Sequence, residues 1–482
     1  MLVTTDHLNL DYTFQGLSVA DIEAYAKQRL PETFNAAREQ LLSGDYANPS
    51  EGRNVTHVLN RSRHSVTAAR GGRNRFCEVV RSLRSGKWLG ATGKPITDVV
   101  NIGVGGSDLG PMMGSFALRE FADDNVSHDL QVHFVSSMDG GQLYAVLPIV
   151  DPETTLFIIA SKSFGTIDTL ANVDTVKRWI SPQLSESQWL ARHVIGVSSN
   201  NQAMSQFGIP AGQQLSFADS VGGRFSLWSA IGLPIALTVG ANQFSKMLAG
   251  AHAMDQHFAT APLTENIPLL LALIGVYNRE QRGLNNVAVL PYDGRLRYLP
   301  SYLQQLDMES NGKQCDRDGI PIDYPTGPII WGGFGPNGQH AFFQHLHQGY
   351  DAFTADFIAV LHRQAPGFTP AVQEGLAEQQ RLAVANCLAH RRLLWFGNGD
   401  TYPGQSPTNL LYVDELTPES FGALIAAYEH KVFTQGVIWN INSFDQPGVE
   451  LGKQIAKEVL AVLDGHSDEH FDESTDNIIK RM

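Results

Sequence analysis

Short apolar runs, each closed by glycine or serine, set the pattern of this chain. "DVVNIGVGG" opens at Asp98, "LQVHFVSS" at Leu130, "TLFIIASKS" at Thr155 and "HVIGVSS" at His193. A second set follows, with "NNVAVLPY" from Asn285, "GPIIWGG" from Gly327 and "RRLLWFGN" from Arg391. The runs are rich in β-branched residues, and helical spacing of apolar positions follows the turns. Strands that are apolar on both faces and alternate with helices predict parallel sheets covered on both sides. A mostly helical stretch from about 225 to 280 separates the two sets. The expected fold is α/β, with two doubly wound domains on mainly parallel sheets and helical segments at the N- and C-termini. The expected boundaries are a mainly helical N-terminal segment over 1–92, a first domain over 93–245, and a second domain over 246–482 that carries a helical C-terminal tail.

Length and composition agree with that picture. A chain of 482 residues is long for one core, and 43% hydrophobic content suits packed domains. The apolar runs break before they reach membrane-spanning length. The start, "MLVTTDHLNLDYTF", has no basic region ahead of an apolar stretch, so no secretory signal is read. Cys77, Cys315 and Cys387 are odd in number and far apart, which fits neither a disulfide framework nor a zinc site. A cytoplasmic location is expected, and the sequons at Asn54 and Asn125 then carry no meaning. The net charge of −14 disfavours nucleic acid and anionic membranes as partners. One stretch runs against it, from Arg61 through Arg63, Arg70, Arg73, Arg75, Arg81 and Arg84 to Lys87. A solvated face or internal ion pairing accounts for such a run better than a nucleic-acid patch.

Six segments could carry chemistry. In "NIGVGGSDLGP", Asn101 to Pro111, a strand ends in glycines, then Ser107 and Asp108 stand as N-cap candidates before a helix. Free N–H groups at a helix start favour an anion. Asp108 stands where a dinucleotide motif needs its third glycine, so a dinucleotide site is poorly supported. "SKSFGT", Ser161 to Thr166, follows a second strand and offers hydroxyls, N–H groups and Lys162 to a phosphate. The competing reading is helix capping by Ser163 or Thr166. Arg224, in "VGGRFSLW", could face a developing oxyanion or make a structural ion pair. "NGQHAFFQHLHQG" holds His340, His345 and His347. A helix from about His340 puts His340 and His347 on one face and His345 off it, which is not the i, i+4 spacing of a helical zinc site. One histidine as proton carrier fits better, because an imidazole both gives and takes a proton near neutrality; packing roles are expected for the other two. Lys453, in "VELGKQ", reads as an exposed lysine or a functional one. In "LQQLDMESNGK" the run around Glu309 reads as a polar turn with a solvated acid, or as a base held over a substrate.

Taken in order, "NIGVGGSDLGP", "VGGRFSLWSAIGLP", "QQLDMESNGK", "GPIIWGGFGPNGQHAFFQHLHQG" and "FDQPGVELGKQ" resemble the phosphoglucose isomerase family from about residue 98 to the C-terminus. The resemblance implies two sugar-isomerase (SIS) domains and interconversion of glucose 6-phosphate and fructose 6-phosphate through a cis-enediol, with neither metal nor cofactor. It implies Glu309 as the base that moves the C1–C2 proton, His340 and Lys453 in ring opening and proton handling, and Arg224 facing the enediolate. Gly106, Ser107, Ser161, Lys162, Ser163 and Thr166 would hold the phosphate and sugar, with Gln305 and Gln446 lining the sugar site. The only small-molecule partner implied is the sugar phosphate. The family's shared site, with the histidine given by the neighbouring subunit, implies a homodimer. Ser163 and Gly165 stand where the family usually has threonine or a similar residue, and Pro447 where it usually has tryptophan.

Overall fold

The computed structural model describes residues 1–62, 69–122 and 130–482. Arg63 and the Asn125 sequon fall outside the described residues, as do the side chains of Arg70 and Arg73. Residues 1–443 form one compact unit and 444–482 a second.

The larger unit holds two sheets. In the first, all five strands are parallel, in the order Gln131–Val135, Asp98–Ile102, Thr155–Ala160, Val194–Ser198, Gln214–Ser216. Thr155–Ala160 is buried along its whole length, as its unbroken apolar run requires. Val100, Ile102, Phe157 and Ile159 pack with Val173, Val176 and Ile180 of the helix Ile167–Ile180 and with Trp189. The chain places its second strand on one side of its first and its third on the other. The turns after Asp98–Ile102 and Thr155–Ala160 therefore diverge, and the crevice between them is where doubly wound sheets bind ligands.

The second sheet repeats this order. Asn286–Pro291 lies between Ile329–Gly332 and Thr354–His362, all parallel, and Thr408–Glu415 follows. Asn9–Asp11 and Leu2–Thr4 then extend the edge antiparallel. The N-terminal segment thus adds strands to the second sheet, besides its helices Val19–Arg29 and Phe34–Ser43. "RRLLWFGN" is not a strand. It closes the 27-residue helix Pro370–Phe396, where Cys387, Arg391 and Leu394 face inward. Four consecutive apolar residues fit a buried strand and a helix equally well, and periodicity cannot separate them. The real strands, "TADFIAVLH" and "TNLLYVDE", flank that helix.

Helix Pro418–Ile438 is buried along almost its whole length, including Glu429, His430 and Lys431. Arg61 from the basic run is fully buried. It pairs with Glu429, and with Asp255 at 2.5 Å. Arg84 donates to the carbonyls of Leu237 and Thr238. Those two arginines are internal braces, as a charge removed from water must be. The smaller unit consists of helices Pro447–Leu463 and Glu473–Ile479. No helix among the described residues is long and apolar enough to cross a membrane.

Candidate active site

The turn after Asp98–Ile102 is shaped by glycine. Gly105 has φ of 58°, in the left-handed region. Gly106 lies so close to the next segment that a Cβ there would stand 2.1 Å from the Gly223 carbonyl oxygen. Among the described residues, the N–H groups of Val104, Gly105 and Gly106 make no hydrogen bond. Asn101 Nδ2 donates to the Ser107 carbonyl at 3.0 Å and keeps the turn folded back on its strand. Asp108 occupies the N-cap position of Leu109–Leu118, yet its side chain caps nothing. It is buried with Oδ1 unpaired. Burial pushes its pKa up to about 6, against an opposing hydrogen bond from Ser136.

The turn after Thr155–Ala160 is held from behind. Ser198 and Ser199 hydroxyls each donate to the Lys162 carbonyl at 2.8 Å, and Asn200 Nδ2 donates to the Ser163 carbonyl. The N–H groups of Lys162, Ser163 and Thr166 have no partner among the described residues. Neither Ser163 nor Thr166 caps the helix: the Thr166 hydroxyl meets Ser161 Oγ at 2.9 Å, and Ser163 Oγ accepts from Gly165 N at 3.3 Å. Phe164 takes φ of 56°, which costs a bulky residue energy. Its buried ring, 5.6 Å from Phe207, anchors it. Lys162 Nζ lies 3.5 Å from Asp219. Burial, with repulsion from Arg53, holds that ammonium below the usual lysine range despite Asp219. Free N–H groups, hydroxyls and one cation at diverging strand ends make an anion cradle.

Glu309 is not in a turn. Gln304–Glu309 is a π-helical segment that continues the helix Leu299–Leu303. The Ser-Asn-Gly that follows suggested a turn, but Ser310 and Asn311 are fully buried. Asn311 donates to the Val432 carbonyl and accepts from the Ser443 hydroxyl. π-helical turns are uncommon and often sit at functional sites. The Glu309 Oε2 atom lies 3.5 Å from Arg224 NH1 and has no hydrogen-bond partner among the described residues. Arg224, only 3% exposed, donates from Nε to Ser310 Oγ at 2.6 Å and from NH2 to the Ser443 carbonyl at 2.8 Å. Gln305 Nε2 lies within 3.0 Å of where a Gly105 Cβ would be, and its Oε1 is unpaired. Gly106, Gln305, Glu309 and Arg224 thus converge on the glycine turn.

His340 follows the short helix Gly335–Gln339, and a break at His340–Phe342 precedes Phe343–Gln348. The histidines therefore do not share one helix. His340 is exposed, with no hydrogen bond or ion pair to Glu309. His345 lies 3.2 Å from Asp351, and His347 bonds His390 at 3.0 Å. Among the described residues no three His, Cys, Asp or Glu side chains gather as a metal site. Gln446 and Lys453 belong to the smaller unit, where Gln446 precedes Pro447–Leu463 and Lys453 lies exposed on it. Sequence reasoning missed Ser310, Ser443 and Gly223, which hold Arg224 and the glycine turn. Ser310 and Gly223 lay inside segments already singled out, but Ser443 had no signal of its own.

A family model described as phosphoglucose isomerase matches residues 11–479. A protein named glucose-6-phosphate isomerase from Idiomarina loihiensis is 69% identical over 488 residues, covering 100% of both chains. One of the same name from Psychrobacter cryohalolentis is 46% identical over 506 residues, covering 98% of this chain and 90% of its own. The crystal structure of a glucose-6-phosphate isomerase from Chlamydia trachomatis is 30% identical with a TM-score of 0.85, covering 100% of this chain and 92% of that one.

Proposed function

The chain belongs to the phosphoglucose isomerase family, and from that membership we propose that it interconverts glucose 6-phosphate and fructose 6-phosphate with Glu309 as the base. The observation that carries the reading is the approach of Glu309 to the buried Arg224 guanidinium, 3.5 Å away, beside a crevice lined with unbonded N–H groups.

The phosphate binds at the turn of Ser161, Lys162, Ser163 and Thr166, with Gly106 and Ser107 completing the crevice. Its binding energy holds C1 and C2 of the open sugar under Glu309. The carboxylate takes the C2 proton of the aldose and returns it to C1. Electrons move from C2 to C1 within one molecule, so the stoichiometry needs no outside oxidant or reductant. Negative charge grows on the enediol oxygen, and Arg224, fixed by Ser310 and Ser443, faces it without having to reorganise. Gln305 binds sugar hydroxyls.

Ring opening requires a proton carrier, and His340 is proposed for it. Its exposure and its lack of a contact with Glu309 support a site completed by a second copy of the chain, hence a homodimer. For Gln446 and Lys453 the proposed roles, sugar contact and ring opening, rest on the match of "FDQPGVELGKQ" to the family pattern. The two sheets are read as two SIS-type domains over 93–245 and 246–482, the second sheet extended by the N-terminal strands Leu2–Thr4 and Asn9–Asp11, and the cytoplasm as the compartment. The test is a coupled assay with fructose 6-phosphate, run with and without a chelator. Turnover that survives the chelator supports the reading. No turnover leaves a sugar-phosphate-binding protein without catalysis.

A further inference from the structure

The segment Gln304–Glu309 carries one residue more per turn than the helix it continues. Such turns are strained relative to α-helix, so contacts from outside must hold them. Leu306 and Asp307 are the two buried residues of the segment. Leu306 supplies apolar packing. Asp307 is a charged group 2% exposed, and Lys431 Nζ on Pro418–Ile438 donates to its Oδ2 at 2.9 Å. Lys431 is buried as well, with Nζ 5.6 Å from the centre of the Tyr428 ring. Asp356, held by Asn409 and Tyr428, adds attraction to the same ammonium.

A buried ion pair of this kind adds little net stability over an apolar pair of equal volume, and its best-attested use is to fix register. Register matters here. If the extra residue were lost to α geometry, Glu309 would rotate by roughly 100° about the helix axis relative to Arg224.

We propose that Lys431, through its buried ion pair with Asp307, is a positioning residue that fixes the wide turn and thereby sets where the Glu309 carboxylate stands against Arg224. This rests on Glu309 being the base. Neither residue is read as touching the sugar.

The test uses Lys431→Met, Asp307→Asn and the double variant in the full-length chain, assayed well below each variant's thermal midpoint. The expected result is a fall in kcat of about 10–100-fold in every variant, with KM for fructose 6-phosphate within about threefold of the parent. The double variant removes the charge that either single change leaves unpaired, and Asp356 keeps its hydrogen bonds from Asn409 and Tyr428, so it regains thermal stability over the single variants while its kcat stays low. It also carries the test if Lys431→Met does not fold. In deuterated water the double variant should incorporate more solvent deuterium per turnover, since a displaced base returns the proton less faithfully. A purely structural brace predicts that kcat recovers together with stability, and parental kcat in the double variant overturns the proposal. Glu309→Gln in the same series separates the two claims. If it keeps parental kcat, the base assignment falls and the proposal with it. If it is inactive while the double variant is unimpaired, only the positioning role falls.

Discussion

Arg224 NH1 stands 3.5 Å from Glu309 Oε2, close enough to pair but without a hydrogen bond. The arginine also donates from Nε to Ser310 Oγ and from NH2 to the Ser443 carbonyl. The acid is left one partner short, and the cation beside it is fixed in place.

From that arrangement, Arg224→Lys should lose about 10²–10³ in kcat, roughly 2.7–4 kcal/mol of transition-state stabilisation. Lysine keeps the charge but cannot reach Ser310, Ser443 and the enediolate oxygen from one planar fork. Steady-state kinetics check this, and KM should change far less than kcat.

Gly106→Ala tests the close approach of the two turns. Its Cβ would meet the Gly223 backbone at 2.1 Å, and backbone there cannot rotate away. The variant should bind fructose 6-phosphate at least about tenfold more weakly, because the segment carrying Arg224 is pushed off the cradle. Substrate titration with a thermal melt as control measures it.

Asp108 makes a prediction about pH. Its pKa rises from the usual 3.8 to about 6 on folding. Between those values the native state holds a proton that the unfolded chain has released, so stability falls as pH rises through this window. Above pH 6 both states are ionised and the full cost applies, up to about 3 kcal/mol at 1.36 kcal/mol per pKa unit. Asp108→Asn should therefore stabilise the protein at pH 8, with the gain shrinking towards pH 4. Urea unfolding of both proteins at several pH values gives the difference.

The shared site is tested by mixing. Preparations of Glu309→Gln and His340→Ala, each inactive, are unfolded together and refolded. If the two residues meet across subunits, half of the dimers are mixed and each has one intact site, giving about a quarter of parental activity. If each chain carries a whole site, no activity returns.

Much of this was legible in the chain, for physical reasons. The apolar run of Thr155–Ala160 announced its strand, because burial on both faces leaves little room for polar positions. "NIGVGGSDLGP" and "SKSFGT" could be read as anion turns, since turn chemistry is local. Glu309 could not be read alone. A carboxylate before Ser-Asn-Gly looks solvated until the burial of Ser310 and Asn311 turns the segment inward. "RRLLWFGN" misled because a short apolar run has no period. The bond between Lys431 and Asp307 joins positions 124 residues apart, and nothing local at either one marks it.

The most direct measurement is turnover of Glu309→Gln with fructose 6-phosphate, alongside its affinity for the same sugar. The amide keeps the shape of the side chain and removes its ability to take a proton. The expected result is a loss of kcat of at least about 10³-fold with affinity nearly unchanged. Turnover close to that of the parent would contradict it.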